Sequence, residues 1–190
     1  DAGGSVFRAD KRHADQVLVQ IDQGKQDECT HPPDNTIQRE KINMSFSQDV
    51  KEELCSSVND RDKEYGCLYG MLLFCQDFGA DRITFRTENA LVAQMFTALC
   101  ERVTSAHITT TQLSRGGRTL YSMDIPEESD REEMIYRFRV SSRSLIHRIQ
   151  KENLTNNNIF AFLAGAFLSC GSVEEPLKQY HLEFAVPYEL

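Results

Sequence analysis

Residues 158–173 read NIFAFLAGAFLSCGSV. Apolar side chains fill the stretch, yet its middle is glycine and alanine, and it closes on Cys170-Gly171. Its apolar run, Ile159 to Cys170, falls short of the ~20 residues a membrane-crossing helix needs, so it predicts a core helix. On that helix Ala161, Gly165 and Ser169 lie at i, i+4 and i+8 and form one stripe of small residues. The stretch CLYGMLLFCQDFGA, from Cys67 to Ala80, repeats the pattern. Leu68-x-Gly70 aligns with Leu163-x-Gly165, a cysteine follows five positions after each glycine (Cys75 and Cys170), and Gly66 with Gly70 makes the matching stripe. Small side chains let two backbones approach closely. A glycine within a helix costs about 1 kcal/mol against alanine, so its recurrence predicts two helices that cross at these stripes. The alternative is a pair of unrelated core helices that tolerate their glycines.

Working outward, RITFRT alternates, with Ile83 and Phe85 on one face and Arg82, Thr84 and Arg86 on the other, the period of a half-buried strand. Thr87 can cap the helix ENALVAQMFTALCERV, whose Val92, Phe96, Leu99 and Val103 form an inward stripe. Segments 106–113 and 117–125 read as a hairpin across Arg115-Gly116-Gly117, because glycine supplies the positive φ the turn demands. MIYRFRV alternates again and predicts a strand with Tyr136, Phe138 and Val140 opposite Arg137 and Arg139, the acidic Pro126 to Glu133 forming a loop before it. A helix near Ser142 to Gln150 and the turn-rich NLTNNN lead into the opening stretch, and KQYHLEFAV follows it as a further strand. Near the start, MSFSQDVKEEL predicts a helix capped by Ser45 or Ser47, with Val50 and Leu54 four apart. Met44 reads as a natural start, and the polar residues 1–43, with Gly3-Gly4 and Pro32-Pro33, as a loosely ordered or non-native extension. Helices and mostly antiparallel strands in this order define an α+β domain.

At 190 residues the chain has room for one main domain, and 40% hydrophobic with 26% charged residues is the composition of a soluble globular protein. No secretion signal opens it, so the cytoplasm is the expected compartment and no membrane is involved. The six cysteines show no CxxC pair, and four fall inside apolar helical patterns, which reads as reduced, buried thiols. A net charge of −8 argues against a uniformly basic nucleic-acid binder and leaves only a local basic face.

Leu163-Ala164-Gly165-Ala166-Phe167-Leu168-Ser169-Cys170-Gly171 resembles the LAGLIDADG motif of homing endonucleases. MSFSQDVKEEL, LYGMLLF, TENALVAQ and FLAGAFLSCGSV followed by YHLEF together resemble the WhiA family of bacterial sporulation and cell-division regulators, from Met44 to Leu190. The resemblance implies a monomeric LAGLIDADG-like fold of two αββ-type repeats with paired motif helices and antiparallel sheets. On that pattern residues 44–157 hold the N-terminal segment and first repeat, and 158–190 begin the second. It also implies a promoter-binding helix-turn-helix beyond Leu190, and so a transcription regulator at the nucleoid. Its main partner is double-stranded DNA, chiefly through that missing helix-turn-helix, with a division or transcription protein as a second.

A LAGLIDADG nuclease needs a carboxylate from the tip of each paired helix to gather the metals that activate water. Here the matching positions are Cys75 and Cys170, soft ligands suited to zinc or copper(I) rather than magnesium. Asp77 follows Cys75 by two residues, a rotation of about 200° on a continuing helix, and Glu174 and Glu175 lie beyond Cys170. The expectation is a catalytically inactive scaffold without cofactor or metal. A zinc site at the two cysteines would need two further ligands, and no histidine stands at ligand spacing; His107 and His181 read as solvated strand residues. DNA on the polar sheet face would meet Arg82, Thr84, Arg86, Arg115, Arg118, Arg137, Arg139, Lys178 and His181. Two rivals stay open: a metal-dependent endonuclease using Asp77 and Glu174, and a docking surface for a division or chromosome-organising protein. An ordinary solvated sheet face is the plain alternative to both.

Overall fold

The computed structural model describes residues 17–18, 45–140, 148–178 and 180–186. The expected extension 1–43 lies outside the described residues apart from the two-residue strand β1 (Val17–Leu18), as does most of the helix expected near Ser142 to Gln150.

Helix α1 (Phe46–Ser57) starts after Ser45, whose carbonyl accepts from Gln48 N at 2.7 Å, though no side chain caps it. Helix α2 (Arg61–Leu73) is capped by Asp60, which accepts from Lys63 N at 2.9 Å. From Gly66 to Leu73 every residue of α2 is buried, as expected of a helix enclosed on all sides. The chain then makes a short hairpin of β2 (Asp77–Phe78) and β3 (Ile83–Thr87). Helix α3 (Ala90–Thr104) takes its cap from Asn89, not from Thr87: Asn89 Oδ1 accepts from Leu91 N at 2.9 Å and Val92 N at 3.1 Å. Thr87 instead orients the cap, its Oγ1 accepting from Asn89 N at 3.2 Å.

Strands β4 (Thr109–Arg115) and β5 (Arg118–Asp124) form the expected hairpin, closed by Gly116 and Gly117 at φ +60 and +80, the pair of positive angles a tight type I′ turn requires. The sheet order is β2-β3-β5-β4, all antiparallel. One face packs on α3, with Phe85 stacked on Phe96 at 4.5 Å.

The strand expected at MIYRFRV is a helix, α4 (Glu128–Arg137), which also takes up most of the expected acidic loop. Its first turn carries Glu128 and Asp130 and its last Arg137, charges that complement the helix dipole. Met134, Ile135 and Phe138 turn inward together while Tyr136 is 85% exposed, a helical spacing that overrides the five-residue alternation. A 3-10 turn (Lys151–Asn153) leads to α5 (Ile159–Cys170), then β6 (Gly171–Val173) and β7 (Leu182–Phe184), whose small sheet runs β1-β7-β6. The final strand is thus shorter than KQYHLEFAV, since Lys178 belongs to the preceding turn. No helix among the described residues is long and apolar enough to cross a membrane.

Candidate functional site

Helices α2 and α5 cross backbone to backbone. A methyl group added at Gly165 would overlap the Cys67 carbonyl, and one at Gly70 the Phe162 carbonyl; at Gly66 it would lie 2.7 Å from the Asn158 carbonyl oxygen. Real Cβ atoms essentially never come within 3.0 Å of such atoms, so only glycine fits. Ala161 is buried in the same helix, and Ser169 Oγ donates to the Phe74 carbonyl at 2.7 Å, tying the two tips together.

Both tips end in sulfur. Cys75 lies just past the end of α2, fully enclosed, its thiol donating to the Asp77 carbonyl at 3.1 Å. Burial holds that thiol far above its ordinary pKa, so the thiolate a metal would need is disfavoured. Cys170 closes α5, half-buried; burial raises it to about 11, opposed by the nearby Lys51 ammonium. The five cysteines among the described residues are free thiols, while Cys29 lies outside them.

Helix α2 stops at Leu73, so the rotation expected for Asp77 does not apply: it sits half-buried on β2, paired with Thr84. Thr84 in turn pairs with Asp124, and its hydroxyl donates to Asp124 Oδ1 at 2.6 Å, with Ser122 Oγ reaching Oδ2 at 3.2 Å. Asp77 and Asp124 therefore flank Thr84 two strand spacings apart, roughly 10 Å between backbones. Glu174 is exposed beyond β6 in the other sheet, its N–H donating to the His181 carbonyl at 3.0 Å. Among the described residues no three His, Cys, Asp or Glu side chains converge as metal ligands.

The sheet face turned away from α3 carries Thr84 and Arg86 of β3, Ser122 and Asp124 of β5, and Thr109 and Thr111 of β4, by the pairing register. Of the residues expected to face DNA, Arg86 is exposed on β3 and Arg118 opens β5, paired with Arg115, whose side chain lies outside the described atoms. Arg82 is exposed in the turn before β3. Thr84 is fully buried under its bond to Asp124 and offers nothing to a ligand. Arg137 and Arg139 are displaced because their segment is helical. Arg137 pairs with Glu133, Arg139 follows α4 at φ 55, and both lie near Tyr65 in the first turns of α2, roughly 13 Å of helix rise from its tip. Lys178 pairs with Glu175 at 2.9 Å in its turn, and His181 stands 3.6 Å from Glu183. Thus, of the expected cations, Arg86 and the Arg115–Arg118 end belong to one sheet, with Arg82 in the turn that leads into it.

Beside the crossed tips lies an open groove of about 460 Å³ that the residue pattern did not foretell. Helix α1 supplies Ser47 and Lys51, the first hairpin Gln76, Arg86 and Thr87, the start of α3 Asn89, and the tip of α5 Ser169. Ser47 Oγ accepts from Val173 N at 3.4 Å, fastening α1 to the second hairpin.

Two glycine-bearing helices crossed at their backbones, each feeding an antiparallel hairpin, define a LAGLIDADG-type α+β domain with sulfur at both motif tips. The WhiA LAGLIDADG-like domain family matches residues 159–190. A probable cell division protein WhiA of Thermoanaerobacter sp. (strain X514) is 31% identical over 157 residues, 74% of this chain and 49% of that protein. The Clostridium tetani protein of the same name is 28% identical over 163 residues, 77% of this chain and 51% of that one. The chain spans about half the length of the curated relatives it matches. In fold it is similar to the N-terminal LAGLIDADG domain of DUF199/WhiA (TM-score 0.52, 22% identity, 75% of this chain and 67% of that one). It is likewise similar to full-length DUF199/WhiA from Thermatoga maritima (TM-score 0.52, 23% identity, 74% of this chain and 44% of that one). The family that this chain resembles, in sequence and in fold, is WhiA.

Proposed function

We propose that the chain is the scaffold portion of a DNA-binding transcription regulator of bacterial cell division and sporulation, one that holds duplex DNA at the nucleoid without cutting it. The observation that carries this reading is the presence of thiols at both crossed tips, one of them enclosed and held protonated by burial. A phosphodiesterase built on paired helices needs hard oxygen ligands at those points, and Asp77 lies on β2 of one sheet while Glu174 follows β6 of the other. Retention of the scaffold without its ligand set leaves binding as its use, and Arg86 with Arg118 gives the open sheet face its cations. Incubation with supercoiled plasmid and Mg²⁺ tests the inactive half: no nicking is expected, and nicking abolished by Asp77→Asn would overturn it. Duplex binding measured across a salt series tests the other half. Affinity that falls steeply with salt is expected; none at any salt would leave a division protein as the partner of this face.

A further inference from the structure

The groove beside the helix tips has polar walls on which four side-chain acceptors are already used. Gln76 Oε1 accepts from Arg86 N at 2.7 Å, which fixes the amide orientation and leaves its NH₂ outward. Asn89 Oδ1 is taken by Leu91 N and Val92 N, leaving its NH₂ likewise. Ser47 Oγ accepts from Val173 N and Thr87 Oγ1 from Asn89 N, so each hydroxyl keeps its proton to give. Ser169 is the exception, its proton given to the Phe74 carbonyl. Among the described residues no carboxylate pairs with the Lys51 ammonium or the Arg86 guanidinium. Lys51 Nζ lies 5.7 Å over the Phe167 ring. Glu88 is the one anion on the wall.

We infer that this groove binds a phosphoryl group, held between Lys51 and Arg86 and by the surplus donors of Ser47, Gln76, Thr87 and Asn89. Several converging donors with spare protons and two unpaired cations suit a ligand that offers acceptor oxygens on every side and net negative charge, which is a phosphate. Lys51 comes from α1, outside both helix–hairpin units, and meets Arg86 from the first. The source of the phosphoryl group is either a DNA backbone phosphodiester, in which case the inference rests on the function proposed above, or a free phosphate compound.

The test is heteronuclear NMR on the full chain, titrated separately with inorganic phosphate and with a short duplex lacking terminal phosphates, at about 50 mM salt. The side-chain amide signals of Gln76 and Asn89 are expected to move with at least one of the two. Movement with duplex alone identifies the phosphodiester; movement with inorganic phosphate alone identifies a free compound and removes the DNA reading while supporting the groove. Lys51→Gln and Arg86→Gln should each abolish the movement and, for duplex, lower the slope of log K against log salt by about 1. Glu88→Gln should tighten binding, a gain that misfolding cannot produce. Silence of both amides in both titrations, or duplex binding whose slope neither cation variant changes, overturns the groove; in the latter case the DNA reading survives.

Discussion

Gly165→Ala separates two expectations of opposite sign. In an isolated helix the substitution is favourable by about 1 kcal/mol, because alanine restricts the unfolded chain. In this fold the new methyl would overlap the Cys67 carbonyl oxygen and lie 2.9 Å from its carbon and 3.0 Å from Met71 N. All three are backbone atoms of α2, so no side chain can swing aside, and relief requires α5 to move off α2 along its whole contact. Overpacking of this kind costs about 1–3 kcal/mol and occasionally more; with rigid neighbours we take the upper end, so the net loss is about 2 kcal/mol after the propensity gain. For a domain of this size that lowers Tm by about 4–8 °C. Gly79→Ala is the matched control: the nearest atom to its new methyl is the Arg82 carbonyl oxygen at 4.0 Å, and its stability should stay within about 0.5 kcal/mol of wild type. Urea denaturation followed by circular dichroism measures both. A Gly165→Ala variant as stable as wild type, or more so, would refute the backbone-to-backbone crossing.

Asn89→Ala should cost about 1 kcal/mol by removing the α3 cap, and Thr87→Ala less; the reverse order in denaturant midpoints would return the cap to Thr87. Alkaline pH should destabilise the fold. Burial raises Cys55 and Cys170 to about 11 and Cys67 to about 12, so the unfolded chain releases these protons first. The stability they contribute is complete below about pH 8.5 and is lost as pH rises through the folded values. Tyr65 and Tyr69, raised by burial, add to this above about pH 10, while Lys51, lowered by burial, opposes it as a single group. A urea midpoint that holds or rises between those limits would contradict this. Restoring acid at the tips should not restore a nuclease: Cys75→Asp buries an unpaired carboxylate at a cost of several kcal/mol. Cys170→Asp, half-exposed beside Lys51, should be near neutral, and a stable double variant that nicks plasmid with Mg²⁺ would sink this account.

The crossing of α2 and α5 was legible because glycine at fixed helical spacing has few physical uses in a core, and the β4–β5 turn because consecutive positive φ angles call for Gly116-Gly117. What failed was short-range alternation. In MIYRFRV five residues fit period two as well as they fit a helix, and the deciding signals, Glu128 and Asp130 in the first turn and Arg137 in the last, lay outside that window. Thr84 looked solvent-facing by parity, and parity did place it on the open face; it could not show that Asp124 would rise two strands further along the chain to cover its hydroxyl. Strand β2, at two residues, has no period to read. The groove was illegible for another reason: Lys51 follows Val50 on an amphipathic helix, and only the docking of α1 against Val173 decides which way it points.

The position of α1 changes what the degenerate tips can do. Each motif helix runs into its own antiparallel hairpin, β2–β3 after α2 and β6–β7 after α5, so a nuclease arrangement would draw one ligand from each unit symmetrically. Here the two tips differ. Cys75 is sealed, while Cys170 is half-open and lies close enough to Lys51 for the ammonium to lower its pKa against burial. A cation from outside the repeat therefore stands where metal-bound carboxylates would have gathered positive charge. Metal-borne charge requires anionic ligands and makes phosphate binding depend on the ion, whereas Lys51 and Arg86 bring charge with their own side chains. In the binding proposed above, such a site would hold a phosphate with the protein's own cations, and among the described residues no group of His, Cys, Asp or Glu gathers to hold the metal that would activate water. On the proposed function, loss of cleavage and a metal-independent hold would both follow from sulfur at the tips, with Lys51 of α1 beside Cys170.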